Sequence, residues 1–195
     1  MYSSLALKLA VTVRHAGVEF FMEVRFLTPD DADEWLRLRV EALERNPEAF
    51  SASLDEYRSL NLEDVKKRLW SDADAFVVGG FQDRHPVGVA GFYREKGPKS
   101  RHKGRVWGVY VTPEARSAGM GRRVMQALLR RINSIDGLDQ VLLSVAATQM
   151  PAIRLYRSLG FKSFGTEPRA LRIGERYIDE QHMVLRLINR GDDPE

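Results

Sequence analysis

The strongest chemical signal in the chain is the run Arg116-Ser117-Ala118-Gly119-Met120-Gly121-Arg122-Arg123. It follows Gly104 to Val111, which reads as a strand. It opens a helix predicted from about Gly119 to Ile135, in which Val124, Leu128, Ile132 and Ile135 recur at helical spacing. A strand that ends in a glycine-rich turn and feeds a helix makes an anion site. The first helical N–H groups lack internal partners, the helix dipole adds partial positive charge, and glycine lets a phosphate approach the backbone. Two nucleotide patterns can be tested on these residues. A P-loop needs Gly, four residues, then Gly-Lys-Ser/Thr, and no such string occurs. A dinucleotide turn needs a third glycine where Val124 stands and an acid at the far end of the next strand, whereas Asp139 precedes that strand. Neither pattern fits.

The 195 residues suffice for one domain with a sizeable core, and 44% hydrophobic with 29% charged residues is an ordinary globular composition. The absence of cysteine excludes disulfides, thiolate metal sites and a cysteine nucleophile, and accords with a cytoplasmic protein. No metal site is expected. Arg116, Arg122, Arg123, Arg130 and Arg131 cluster in or near one helix. They form either a solvated face or a field for a polyphosphate ligand. No aromatic residues interleave with them, so nucleic acid is not an expected partner. No run of 18 apolar residues occurs, so no membrane helix is expected either.

The elements that must position the turn can be read in order. Residues 1–21 include the short apolar run LALKLAVTV, which lacks the basic lead-in of a secretory signal. They are expected to be an extension with little part in function, ahead of a single domain at 22–188 and a polar tail at 189–195. Val24 to Leu27 predicts a strand. Thr28 or Asp30 caps a helix through about Arg45, and Asn61 caps another through Trp70. Ala75 to Phe81 and Val87 to Tyr93 predict a hairpin, and Gln140 to Val145 a buried strand. Met150 to Leu159 predicts a helix with Pro151 in its first turn and Gly160 as its stop, followed by strands at Phe161 to Gly165 and Arg176 to Leu187.

Arg116-Ser117-Ala118-Gly119-Met120-Gly121 resembles the R/Q-x-x-G-x-G/A signature of the GNAT superfamily of acetyl-CoA-dependent N-acetyltransferases. The resemblance extends to the lead-in at Val111 and Pro113. It extends also to a second motif at Leu155, Tyr156, Gly160 and Phe161, and it covers about Ala75 to Leu187. It implies an α/β fold with a mixed, mostly antiparallel central sheet, splayed central strands and about four flanking helices. It implies acetyl-CoA as co-substrate, with its pyrophosphate on the amides of Ser117, Ala118, Gly119, Met120, Gly121 and Arg122 beside Arg116. Its pantetheine arm would pair with Val109, Tyr110 and Val111. Gln149 stands where many relatives carry an asparagine that binds the cofactor. Tyr156 is the implied acid for the departing thiolate, since a phenol stays protonated at neutral pH. Ala152, Leu155, Tyr156 and Leu159 also share one helical face, so a place in the core fits Tyr156 as well.

Many relatives have a glutamate on the strand before the turn, where this chain has Arg105, Val106, Trp107 and Gly108. Glu114, Asp179, Glu180, His102 and Tyr110 are the other groups considered as base, and none is assigned. The implied acceptor is a primary amine of a small molecule, an amino acid or a protein N-terminus. Arg39, Phe50 and Tyr57 flank it on one side and Arg176, Tyr177 and Asp179 on the other. A monomer or a homodimer is expected. The alternative function is an acyl-CoA-binding sensor with this fold and no catalysis.

Overall fold

A computed structural model describes residues 9–15 and 18–187. Its strands are β1 (Leu9–His15), β2 (Val18–Phe26), β3 (Ala75–Gln82), β4 (His85–Arg94), β5 (Lys103–Val111), β6 (Gln140–Ala146), β7 (Lys162–Ile173) and β8 (Arg176–Arg186). They form one sheet in the order β1-β2-β3-β4-β5-β6-β8-β7, antiparallel except where β5 meets β6. The helices are α1 (Ala32–Arg45), α2 (Leu54–Arg58), α3 (Leu62–Arg68), α4 (Pro113–Arg116), α5 (Met120–Ile132) and α6 (Met150–Ser158).

The central strands of the sheet are covered on both faces, and the alternation of side chains along them assigns buried residues to one core or the other. Phe76 and Val78 of β3 join the core under α5 and α6, and Val77 between them joins the core under α1 to α3. A strand buried on both faces reads as a continuous apolar run, as Phe76 to Val78 does. In α1 the buried positions Trp35, Leu38, Arg39, Ala42 and Leu43 make one stripe of a 3.6-residue period. In α5 the stripe is Met120, Val124, Leu128 and Ile132 with their neighbours. A side chain at Gly80 would overlap Met120 and Val124, so that glycine lets α5 lie close on the sheet.

Local caps fix the helix entries. Thr28 and Asp31 close a capping box, and Arg25 holds both Asp31 oxygens at 2.6 and 2.8 Å. Ser53 with Glu56 caps α2, and Asn61 caps α3.

The predicted α/β sheet with splayed central strands is the one found. Several elements differ, among them the short helix α4, which the sequence reading did not predict. The first predicted strand begins at Val18 rather than Val24, and β1 precedes it as the outer strand. Helix α2 separates α1 from α3. Strand β7 runs to Ile173 instead of Gly165. Most of β7 is exposed and polar, so it shows no apolar alternation, and its pairing with β8 defines it instead. The polar tail at 189–195 lies outside the described residues. Among the described residues no helix is long and apolar enough to cross a membrane.

Candidate active site

Strands β5 and β6 touch only where Lys103, Gly104 and Arg105 face Gln140, Val141 and Leu142. Beyond Arg105 they part. The outer edge of β5 pairs with β4 and that of β6 with β8, so each turns an unpaired edge into the gap. A bulge in β5 drives the separation. Val89 faces Tyr110 and Gly91 faces Trp107, which leaves one extra residue on β5 around Gly108 and Val109. Bulges bend a strand away from its flat course. Gly108 has φ +63°, a conformation that glycine enters without a Cβ penalty.

Arg39 braces that bulge. Its Nη1 donates to the Gly108 carbonyl at 3.2 Å, and its guanidinium lies 4.8 Å from the Phe50 ring and 5.0 Å from the Tyr57 ring. The residue is 2% exposed, its Nε has no hydrogen-bond partner, and burial lowers its pKa from the ordinary value. A lone cation costs free energy to bury, so its retention points to a role at the bulge.

The resulting cleft has a volume of about 430 Å³. One wall is Val106 to Val111 and the other is Leu143, Ser144 and Val145. Gly119, Gly121, Arg122, Gln149 and Tyr156 also line it. It opens at the carboxyl ends of β5 and β6, where α/β proteins place ligands. There α5 begins with Gly119 at its N-cap in the left-handed region, φ +76°. A Cβ at Gly119 would meet nothing within 4 Å, so glycine is needed there for its backbone angle alone. At Gly121 a Cβ would make ordinary contacts with Leu155 at 3.4 Å and Val111 at 3.5 Å, so only a branched or larger side chain would crowd the cleft there.

The arginines divide. Arg116 donates to the Val111 carbonyl and to Asn46, both at 3.0 Å, which ties the turn to β5 and to the end of α1. Arg122 lines the cleft and bonds Ser158 at 2.7 Å. Arg131 is at the other end of α5, stacked on Phe26 and Phe76. Eleven residue steps along the helix separate it from Met120, about 17 Å at 1.5 Å per residue. Arg131 therefore takes no part in a field at the turn.

Met120 is fully buried, so it can present only its main chain to the cleft. Tyr110 points its ring into the α1 side of the sheet and donates to Glu41 at 3.1 Å. Burial and the Glu41 charge push its pKa up to about 12. A phenol so held is no base. Tyr156 is 6% exposed at the cleft wall, edge-on to Phe161 with ring centroids 6.1 Å apart. Burial raises its pKa above the ordinary phenol value, so it keeps its proton across the working pH range. It belongs to the core and lines the cleft at once. Gln149 precedes α6 and its amide donates to Glu48 at 3.1 Å, which links the β6 wall to the turn after α1.

The other candidate bases are scattered. His102 lies beyond the end of β5 where the strands are still paired, away from the cleft. Glu114 is exposed and paired with Arg45 at 2.9 Å. Asp179 accepts the Arg169 N–H at 2.8 Å, and Tyr177 lies under Arg169 near the β7–β8 turn. Arg176 starts β8 at that same turn. Glu180 is half-buried, and burial raises its pKa.

Sequence reasoning missed the bulge and one cluster. Gly108 inside a strand was the available signal for the bulge. Ser144, His182 and Glu167 form a hydrogen-bonded row beside the cleft. No local spacing announces such a row, because three strands contribute to it.

Comparison with known proteins identifies the family. Residues 35–161 match the family described as Acetyltransferase (GNAT) family. A mycothiol acetyltransferase of Acidothermus cellulolyticus is 33% identical over an alignment of 161 residues that covers 75% of this chain and 46% of that protein. One from Thermobispora bispora is 35% identical over an alignment of 143 residues that covers 67% of this chain and 43% of that protein. The chain thus spans less than half the length of these curated relatives. A GNAT-family acetyltransferase structure from Streptococcus pneumoniae has a TM-score of 0.76 at 21% identity, covering 86% of this chain and 99% of that one. A Salmonella typhimurium structure described as an acetyltransferase with its cofactor acetyl-CoA has a TM-score of 0.72 at 21% identity, covering 89% and 98%. The matched span holds the glycine turn, both walls of the cleft and Tyr156, and the chain belongs to the GNAT acetyltransferase family.

Proposed function

We propose that the protein transfers the acetyl group of acetyl-CoA to a primary amine by direct attack in the cleft between β5 and β6. One observation carries this reading: the glycine turn, an unpaired strand edge and a buried phenol line the same opening. The amides of Ser117 to Arg122, at the start of α5, would take the pyrophosphate, with Arg122 beside them. The Val109 to Val111 edge would pair with the pantetheine arm, as an added strand pairs with an open sheet edge. Gln149 at the other wall would contact the same ligand.

In the reaction the amine nitrogen attacks the acetyl carbonyl, a C–N bond forms and the C–S bond breaks. The electron pair leaves on sulfur, and Tyr156 donates a proton to it. A phenol kept neutral by burial suits that role. The names of the relatives support acetyl transfer, and this reading takes a primary amine as the acceptor.

Release of free thiol from acetyl-CoA, measured across a panel of amines, tests the proposal. Thiol release matched by acetylated amine is expected. Tight acetyl-CoA binding with no turnover on any amine would contradict it and favour a sensor.

A further inference from the structure

The row beside the cleft runs Ser144, His182, Glu167. Ser144 Oγ lies 2.9 Å from His182 Nδ1, and His182 Nε2 lies 3.0 Å from Glu167 Oε2. Cross-strand register produces it. Ser144 of β6 is paired with His182 of β8, and Glu167 reaches His182 from β7 beside the Glu167–Glu180 pair. A carboxylate can only accept, so the Glu167 contact places the imidazole proton on Nε2. Nδ1 then carries the lone pair and accepts the Ser144 hydroxyl. This is the arrangement in which an imidazole draws a proton from a hydroxyl while a carboxylate stabilises the cation that forms.

The position of the row matters as much as its bonds. Ser144 is a wall residue of the cleft. Leu143 and Val145, its neighbours in β6, point to the face that holds Tyr156, so Ser144 points to the opposite face. Thus the phenol and the hydroxyl–imidazole row stand on opposite faces of the sheet gap. Amine acylation needs a proton donor for the leaving thiolate and a separate acceptor for the ammonium. The row also leads outward. His182 is 28% exposed and Glu167 55%, so a proton taken up at His182 can pass to water.

We infer that Ser144 and His182 form the proton-acceptor route for the acceptor amine, with Glu167 orienting the imidazole. The inference rests on the transferase reading above. An alkylammonium in the cleft gives a proton to Ser144 Oγ as Ser144 gives its own to His182 Nδ1. The freed lone pair attacks the acetyl carbonyl, the C–S bond breaks, and the thiolate takes the Tyr156 proton. The nitrogen loses two protons in all. One leaves through Ser144 and His182 to solvent, and the other restores the Tyr156 phenol. The charged groups facing His182 are Glu167 from β7 and Glu180 from β8, and β6 brings Ser144. Both carboxylates lie beside the imidazole. They also favour a cationic acceptor at this end of the cleft.

The test is the pH dependence of kcat/KM for wild type, His182→Gln, Ser144→Ala and Glu167→Gln, using an amine that the wild type acetylates. At pH 7, His182→Gln should lose about 10²-fold or more, the scale of general base catalysis. Its acid limb should move up to the pKa of the amine itself, so that activity returns in alkaline solution. Ser144→Ala should move in the same direction. Glu167→Gln should lose less and keep its acid limb near that of wild type, because His182 and Ser144 remain. The dissociation constant for acetyl-CoA, from calorimetry, should be unchanged in all three, which a general structural defect would not allow. A limb left in place in both His182→Gln and Ser144→Ala overturns the route and leaves the transferase reading intact. Capture of an acetyl group on Ser144 by mass spectrometry also overturns it, because the serine would then be a nucleophile. A wild type without turnover on any amine overturns both readings.

Discussion

Arg39 and Gly108 are 69 positions apart in sequence and joined by one hydrogen bond, Nη1 to carbonyl, at 3.2 Å. That bond couples the first long helix to the strand bulge that opens the cleft. The guanidinium has no carboxylate partner among its hydrogen bonds and cation–π contacts, and aromatic rings of Phe50 and Tyr57 enclose it.

This coupling separates stability from activity. Replacing a buried charge with an apolar side chain of similar length is often neutral or stabilising. Arg39→Met should therefore melt within about 4 °C of wild type or above it, a shift that corresponds to roughly 1 kcal/mol or less. Its kcat/KM should fall about tenfold or more, because the Gly108 carbonyl loses its donor and the bulge its brace. Calorimetric melting and steady-state kinetics check the two halves. A variant that melts far lower and keeps its activity would assign Arg39 to the core instead.

Tyr156→Phe should lower kcat by about 10²-fold or more, the range found for loss of a general acid. Acetyl-CoA affinity should change little, since the ring and its packing on Phe161 remain. The raised pKa gives a further sign. The phenol stays protonated beyond its ordinary value, so wild type should show no alkaline loss from Tyr156 below about pH 10. A pH–rate profile reads both. An unchanged kcat in the phenylalanine variant would remove Tyr156 from the chemistry.

The two glycines of the turn should fail for different reasons. Gly119→Ala meets no neighbour, and its cost is the left-handed backbone angle, about 1–2 kcal/mol. Gly121→Val places branches against Leu155 and Val111 and narrows the mouth of the cleft. Urea unfolding should show the first loss. Acetyl-CoA titration should show a much weaker affinity for the second variant than for the first.

Asp31 should contribute to stability in a pH-dependent way. Burial alone would raise its pKa, but hydrogen bonds from Arg25 and the Thr28 N–H and the Arg25 charge outweigh that and hold the carboxyl below its usual range. A depressed folded pKa means that the stabilisation is present above the unfolded pKa and is lost as pH falls through the folded one. Melting temperature should therefore drop below about pH 4, and Asp31→Asn should flatten that drop while lowering stability at pH 7. Parallel slopes for both proteins would show that the pair does not govern the acid branch.

Much of the candidate site was legible because its parts are local. A strand, a glycine turn and a helix lie within thirty residues, and Tyr156 shares a short helix with its stop at Gly160. The glycines declare backbone needs in their own identity. Register and facing were not legible. Ser144, His182 and Glu167 meet only because β8 lies between β6 and β7, an order that the chain does not follow. The contact of Arg39 with the bulge was hidden likewise, since its partner carbonyl at Gly108 lies 69 positions away in the chain. Strand β7 lacked any apolar pattern, and only its partner strand defines its length.

The central claim is that the gap between β5 and β6 holds the acetyl donor. A crystal structure of the protein with acetyl-CoA tests it most directly. Three contacts are expected: main-chain pairing between the pantetheine arm and Val109 to Val111, the pyrophosphate on the amides of Ser117 to Arg122, and the thioester sulfur within hydrogen-bond reach of the Tyr156 hydroxyl. Acetyl-CoA bound elsewhere, or a thioester remote from Tyr156 with the gap empty, would contradict it.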